Sequence, residues 1–244
     1  MSSALPVRTS RHRGARALFT GRTGGVSTGD FTGLNLARHV GDDAECVEHN
    51  RQLVAEAVGA PLVFVDQVHS ADVHVLPETG PVPVVTADAL VTTRRDVALA
   101  IMVADCLPVL LSDPVSGTVA AAHAGRAGLL GGVLERTVVE MARFGARPED
   151  VTVTVGPSIC GQCYEVPEQM RDQAAELLPA VHAVTRWGTP ALDLRAGAVA
   201  VLTEAGVPAG AIDAGAACTL EDEEYFSYRR AARTGRFAGV IRRE

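Results

Sequence analysis

Long apolar runs, rather than alternating ones, fill the middle of the chain. LVFVDQVH, DVHVL, ADALVT, VALAIMVA, LPVLLSD and TVAAAHA succeed one another between residues 62 and 124. Runs of this kind predict strands covered on both faces, with Asp113-Pro114 and Ser116-Gly117 marking turns. A period of three to four marks the helices. Asp42-Asp43 opens AECVEHNRQLVAEAVG, which places Cys46, Leu53, Val54 and Val58 near one face. GLLGGVLERTVVEMARFG reads as one amphipathic helix ending at Gly145, with Pro148 just beyond. EQMRDQAAELLP and LRAGAVAVLTEAG predict two more, and DVTVTVGP and FAGVIRR add strands. The Gly- and Thr-rich stretch from Phe19 to Asp43 reads as turns around short strands. Residues 1–16, polar and aperiodic, read as a poorly ordered arm. No repeat or linker divides the rest, so residues 17–244 are expected to form a single α+β domain with mixed β-sheets flanked by helices.

Composition narrows the function. With 47% hydrophobic residues but only 4% aromatics, the core must be built from Val, Ala and Leu. A net charge of −7 argues against a nucleic-acid partner or an anionic membrane surface, and no protein partner is implied. All 22 basic residues are arginine. Without lysine, Schiff-base, pyridoxal-phosphate and P-loop chemistry are unavailable. The N-terminus lacks the apolar segment of a secretory signal, and the run around 97–111 is broken by Asp105 and Pro108. Five cysteines, an odd number, read as reduced thiols of a cytoplasmic protein.

Three of the runs end on a metal-competent side chain: FVDQVH on His69, IMVADC on Cys106 and VAAAHAG on His123. Two imidazoles and a thiolate supply the three protein ligands of a catalytic zinc with an open fourth position. A buried core cysteine and hydrogen-bonded core histidines are the plainer alternative. Asp105 adjoins Cys106 and is the nearest proton shuttle or histidine-orienting acid. Cys106 is alternatively a nucleophile activated by an imidazole. The turn after His123 leads into a helix whose N–H groups suit an anion. Cys160-Gly-Gln-Cys163 is only half a zinc knuckle and reads as structural. His74 alternates like a solvent-facing strand residue, while His12, His39, His49 and His182 stand in polar or loop contexts. Arg229, Arg230 and Arg236 suit phosphate or carboxylate.

Taken in order, FTGRTGGVS, LNLARHVGDD, Asn50-Arg51, DQVHSADV, ADALVT, ADCLPVLL, AAHAGRAG, GPSICGQCYEV and FSYRRAARTGR resemble the YfiH-like proteins. These are also called the laccase-domain or multicopper polyphenol oxidase family. The resemblance runs from about residue 18 to the C-terminus. It implies α/β/β/α layers and a zinc site at His69, Cys106 and His123. It also implies purine nucleoside phosphorolysis (adenosine, inosine, guanosine, methylthioadenosine), with phosphate as co-substrate, and adenosine deamination. Arg22, Asn35, Arg51, Gln67 and Arg229 are the expected substrate contacts. A Cys-dependent amide or ester hydrolase acting in peptidoglycan editing is the alternative. Phenol oxidation ranks below both. A His₂Cys set with Met102 as axial donor suits copper, yet none of the seven histidines forms the His-x-His pairs of a trinuclear cluster. The family's HAGWRG is HAGRAG here, so the contacts at the start of that helix differ.

Overall fold

The computed structural model describes residues 5–244. Strands β1 (Val7–His12) and β2 (Ala15–Thr20) form a hairpin, followed by helix α1 (Ala44–Val58). Then come β3 (Leu62–Val63), β4 (Val73–Val75), β5 (Ala89–Thr92), β6 (Ala98–Val103), β7 (Leu107–Asp113) and β8 (Thr118–Ala124). Helices α2 (Arg126–Leu130) and α3 (Val133–Ala142) precede β9 (Thr152–Val155) and α4 (Glu168–Leu177). The chain closes with β10 (His182–Val184), β11 (Pro190–Leu192), α5 (Leu194–Glu204), β12 (Ile212–Asp213) and β13 (Phe237–Arg243).

Two mixed sheets carry the domain. One has the order β1-β2-β13-β6-β3 and the other β12-β9-β7-β8-β5-β4, with β10 and β11 as a separate pair. Successive strand residues face opposite ways, so each sheet feeds two cores. Leu99, Ile101 and Leu110 pack with Phe19 and Phe237 between the sheets. Ala98, Ala100 and Val240 face α1 through Val54 and Val58. Val109, Leu111 and Ala122 face α3 and α5 through Leu134, Val138 and Leu202. The result is the expected α/β/β/α stack, and it explains why these strands are apolar at every position. The chain crosses from the first sheet to the second between β6 and β7, over Ala104, Asp105 and Cys106.

Several sequence expectations are corrected. Val7–His12 is a paired strand, not a poorly ordered arm; residues 1–4 lie outside the described part. Its exposed Arg8 and Arg11 lie on a sheet edge, where charge discourages further pairing, and so disguise it. His12 is buried and shares hydrogen bonds with Ser112 Oγ at 2.7 Å and Thr154 Oγ1 at 3.1 Å, tying the hairpin to β7 and β9. The run LVFVDQVH is a strand only at Leu62–Val63. Beyond it, Gln67 replaces the backbone ladder with its side chain, accepting from the Met102 N–H at 2.9 Å and donating to its carbonyl at 2.8 Å. The helix expected after Gly128 breaks at Gly131-Gly132, where Gly132 takes φ +88° and α3 restarts. His74 is not solvent-facing, since its Nε2 is buried without a partner. In α1 the buried positions are Val47, Asn50, Val54 and Val58, capped by the Asp43 carboxylate, and Cys46 is only partly covered.

Candidate active site

The β6–β7 crossing presents Cys106, the C-terminal part of β8 presents His123, and the loop before β4 presents His69. Their ligand atoms lie within 4.8 Å of one another. Cys106 Sγ is 3.7 Å from His69 Nε2. The two imidazoles meet edge to face, with ring centroids 4.7 Å apart. Among the described residues only two non-glycines have positive φ, His69 at 61° and Asp105 at 96°. Both belong to this cluster, where such strain is characteristically stored. Gly125 closes it from below. A Cβ there would stand 2.7 Å from His69 Cδ2 and 3.0 Å from Cys106 Sγ.

Asp88, fully buried just before β5, holds two of the three residues, His123 by its ring and His69 by its backbone. Its Oδ1 accepts from His123 Nδ1 at 2.7 Å and from the His69 N–H at 3.0 Å. Its Oδ2 accepts from the Val68 and Ser70 N–H groups at 3.2 and 2.6 Å and from Ser70 Oγ at 2.8 Å. Burial works against the Asp88 carboxylate, but the His123 and Ser70 hydrogen bonds outweigh it and hold its pKa down at about 2. Because an ionised Asp88 accepts the Nδ1 proton, His123 keeps Nε2 as its free nitrogen. Burial opposes charge on the His123 ring too, yet Asp88 and the Cys106 sulfur push its pKa up. Burial would raise the Cys106 thiol, but hydrogen bonds from His123 and His69 pull it down. The pair therefore favours thiolate beside imidazolium, or thiolate and neutral imidazole on a cation. Two borderline nitrogens and a thiolate fit zinc, and their donor types also suit copper.

Asp105 has a different task from the one expected of it. It touches neither histidine. Its carboxylate accepts from Thr219 Oγ1 at 2.6 Å and from the Arg229 N–H at 2.7 Å, pinning the segment before β13 over the site. Met102 lines the same cavity, and its Sδ accepts from the Arg51 guanidinium at 3.7 Å.

A cavity of about 730 Å³ opens on the three side chains, within the range of ordinary small-molecule sites. Of the expected contacts, Arg51, Gln67 and Arg229 line it, whereas Arg22 and Asn35 do not. Arg22 lies over the Phe226 ring. Asn35 is wholly buried, its carbonyl accepting from the Ala37 and Arg236 N–H groups. Arg230 serves the backbone, donating to the carbonyls of Thr219, Leu220 and Tyr225. The lining brings together four arginines (Arg38, Arg51, Arg229 and Arg236) against two aspartates, on a chain that is acidic overall. Arg51 stacks on Phe64 at 4.0 Å, and Arg229 on Tyr164 at 5.2 Å. Burial lowers the His39 pKa, and the charges of Arg236 and Arg51 lower it further. Sequence reasoning missed Asp88, which stood in the ADALVT motif, and the aromatic wall of Phe64, Tyr164 and Tyr228.

This fold, with a two-histidine, one-cysteine cluster at its sheet crossing, defines a YfiH-type domain. The chain belongs to the family described as multi-copper polyphenol oxidoreductase laccase, whose family model matches residues 16–244. It is 50% identical over 232 residues to a purine nucleoside phosphorylase of Streptomyces coelicolor, covering 93% of this chain and 95% of that one. It is 44% identical to one of Corynebacterium glutamicum, over 95% of each chain. Among solved structures, a Neisseria meningitidis protein of family DUF152 superposes with TM-score 0.88 at 37% identity, covering 98% and 99% of the two chains. YlmD from Geobacillus stearothermophilus superposes with TM-score 0.87 at 35% identity, covering 95% and 92%. No helix of the described residues is long and apolar enough to cross a membrane.

Proposed function

We propose that this enzyme cleaves purine nucleosides with inorganic phosphate, using a zinc ion held by His69, Cys106 and His123, and that the same site deaminates adenosine. The observation that carries the reading is the cavity itself. It pairs aromatic faces for a base with an excess of arginine for phosphate, and both open on the three-ligand cluster. The name shared by the Streptomyces and Corynebacterium relatives supports the substrate class.

In this mechanism Phe64, Tyr164 and Tyr228 offer rings on which the purine stacks. Arg51 and Arg236, close enough to His39 to depress it, hold phosphate against the ribose. A phosphate oxygen attacks C1′ of the ribose, the glycosidic bond breaks, and its electron pair leaves on the base, which takes up a proton. Asp88 keeps His123 in one orientation and tautomer throughout, and Asp105 holds Arg229 over the cavity. A zinc ion, when bound, supplies Lewis-acid stabilisation of developing negative charge and lowers the pKa of water for deamination. The five free thiols suit the reducing cytoplasm.

One observation favours a second reading. Asp88, His123 and Cys106 form a chain in which an acid orients an imidazole beside an acidified thiol, the pattern of a cysteine nucleophile. The alternative is a Cys-dependent amide or ester hydrolase of peptidoglycan editing. Incubation of the metal-analysed protein with adenosine or inosine and phosphate separates the two. Free base, ribose 1-phosphate and, from adenosine, inosine are expected, and all are lost in Cys106→Ala. If zinc-loaded protein turns over no purine nucleoside, the nucleoside reading fails. If metal-free protein hydrolyses amides or esters, the second reading replaces it.

A further inference from the structure

Cys160-Gly-Gln-Cys163 supplies two ligands of a zinc knuckle, and the fold delivers the other two from elsewhere. Cys218-Thr-Leu-Glu221 has the same two-residue spacing. The ligand atoms of Cys160, Cys163, Cys218 and Glu221 all lie within 4.8 Å of one another. We propose that these four side chains form a second, closed zinc site, structural in role and separate from the cluster at His69.

The two halves are the same turn used twice. The Cys160 carbonyl accepts from the N–H groups of Cys163 and Tyr164, both at 2.9 Å. The Cys218 carbonyl accepts from those of Glu221 and Asp222, at 3.1 and 2.9 Å. Each turn thus aims its first and fourth side chains to one side, as cysteine-x-x-cysteine turns do around zinc. A parallel bridge between Ser158 and Cys218 sets the turns side by side. The Cys160 N–H then points at Cys218 Sγ at 3.3 Å, the kind of N–H···S contact that orients and stabilises a ligating thiolate. Arg195 fixes the register by donating to the carbonyls of Ser158, Ala216 and Ala217.

Four protein ligands leave no open position, which is the structural rather than the catalytic arrangement. Three thiolates and a carboxylate around one divalent cation leave an excess of negative charge. Arg186 meets it, donating to Cys163 Sγ at 3.2 Å and pairing with Glu221 at 2.6 Å. None of the four residues lines the catalytic cavity, but their neighbours serve it. Ile159 lines the cavity and its N–H bonds the Asp105 carbonyl at 2.9 Å. Thr219, inside the second turn, donates to the Asp105 carboxylate. A cation here would clamp the segment before β13 onto the loop after β9, and so hold one wall of the active site in place.

Cys106→Ala, which removes a ligand of the first cluster, isolates the second. Purified under reducing conditions, this full-length variant is expected to retain one zinc per chain. X-ray absorption should show a sulfur-dominated shell with Zn–S distances of about 2.3 Å. Adding Cys163→Ser should abolish that zinc. Because Cys163 is buried and its replacement also tests the packing, Glu221→Gln provides a second variant at an exposed position, expected to release the metal faster to a chelator. Absence of zinc from Cys106→Ala, or a shell of nitrogen and oxygen alone, overturns the proposal. So does a disulfide among Cys160, Cys163 and Cys218 found by peptide mass spectrometry of the freshly purified protein. None of these readouts involves nucleoside turnover, so failure here leaves the catalytic reading untouched.

Discussion

Replacing Asp88 by asparagine is the sharpest perturbation of the His69–Cys106–His123 cluster, because it changes charge and hydrogen-bonding sense while preserving shape. The wild-type carboxylate accepts five hydrogen bonds, from His123 Nδ1, three consecutive backbone N–H groups and Ser70 Oγ. An asparagine must turn its amide –NH₂ toward one side or the other. Facing Val68 and Ser70, it opposes two N–H donors in a dry site, each uncompensated donor costing about 1–3 kcal/mol. Facing His123, it asks Nδ1 to accept, which moves the ring proton to Nε2 and removes the lone pair that a metal needs.

Either orientation weakens the site. Loss of a carboxylate behind a metal-binding histidine lowers affinity roughly 10- to 100-fold, or about 1.4 to 2.8 kcal/mol. Competition against a chromophoric chelator near neutral pH measures zinc affinity directly, and thermal unfolding of the metal-free protein measures the second cost. Asp88→Asn should lose on both, whereas Asp105→Asn, whose amide can still accept from the Arg229 N–H while donating to Thr219 Oγ1, keeps its turn anchored and should leave zinc affinity near wild type. Unchanged affinity in Asp88→Asn, with the fold intact, would refute the idea that this carboxylate sets the His123 tautomer.

Three further outcomes follow from single observations. Gly125→Ala should keep the fold, since φ there is −73°, yet lose the zinc of the His69 cluster while keeping any held at Cys160, because its Cβ needs space that His69 and Cys106 occupy; a fall in zinc content of about one per chain relative to wild type, with unchanged circular dichroism, checks it. Arg51→Ala should raise KM for phosphate by roughly 10- to 100-fold, the weight of a charge-assisted hydrogen bond, while KM for the nucleoside changes less; steady-state kinetics in each substrate decide. His12 should make the protein acid-sensitive. Burial lowers its pKa from 6.5 to about 4, so the unfolded chain takes up the proton first. The neutral ring's contribution is complete above the unfolded value and is lost as pH falls from about 6.5 toward 4, costing roughly 3 kcal/mol. Denaturant titrations of wild type and His12→Gln across that range should diverge at high pH and converge at low pH, and parallel curves would count against it.

How far this site was legible depended on what each residue contributes to the core. Cys106 and His123 interrupt or end apolar strands, and a polar side chain at such a place is conspicuous. His69 ends a short apolar run of its own, FVDQVH. Asp88 was hidden because its partners are backbone N–H groups and a ring on another strand, none of them near it in sequence. Asp105 drew attention by adjacency, yet the positive φ at that residue turns its carboxylate away from both imidazoles and toward Thr219 and Arg229. Asn35 and Arg22 stand in motifs of the resemblance, but their polar or aromatic partners lie within the scaffold. β1 escaped notice because an edge strand can be polar on its open side, and β10 and β12 because two or three residues carry no period.

The division of labour between the two aspartates explains why the cluster sits at the crossing between sheets. Neither sheet alone could present three side chains to one point: β6 and β7 belong to different layers, and His69 comes from a loop with almost no ladder of its own. Strand geometry fixes only His123. The other two ligands need backbone turns that L-residues resist, at His69 itself and at the residue before Cys106. Each strained turn is held by one carboxylate, Asp88 through three N–H groups around His69 and Asp105 through Thr219 and Arg229. Since the second carboxylate is anchored by the segment before β13, the Cys106 thiol is coupled to residues more than a hundred positions downstream. A substitution that loosens that segment, such as Thr219→Val, should therefore relax the Asp105 turn and lower the affinity of a site that Thr219 does not touch. Zinc competition on that variant, with unfolding monitored alongside, tests the coupling, and wild-type affinity in a stable Thr219→Val protein would show that the turn holds without it.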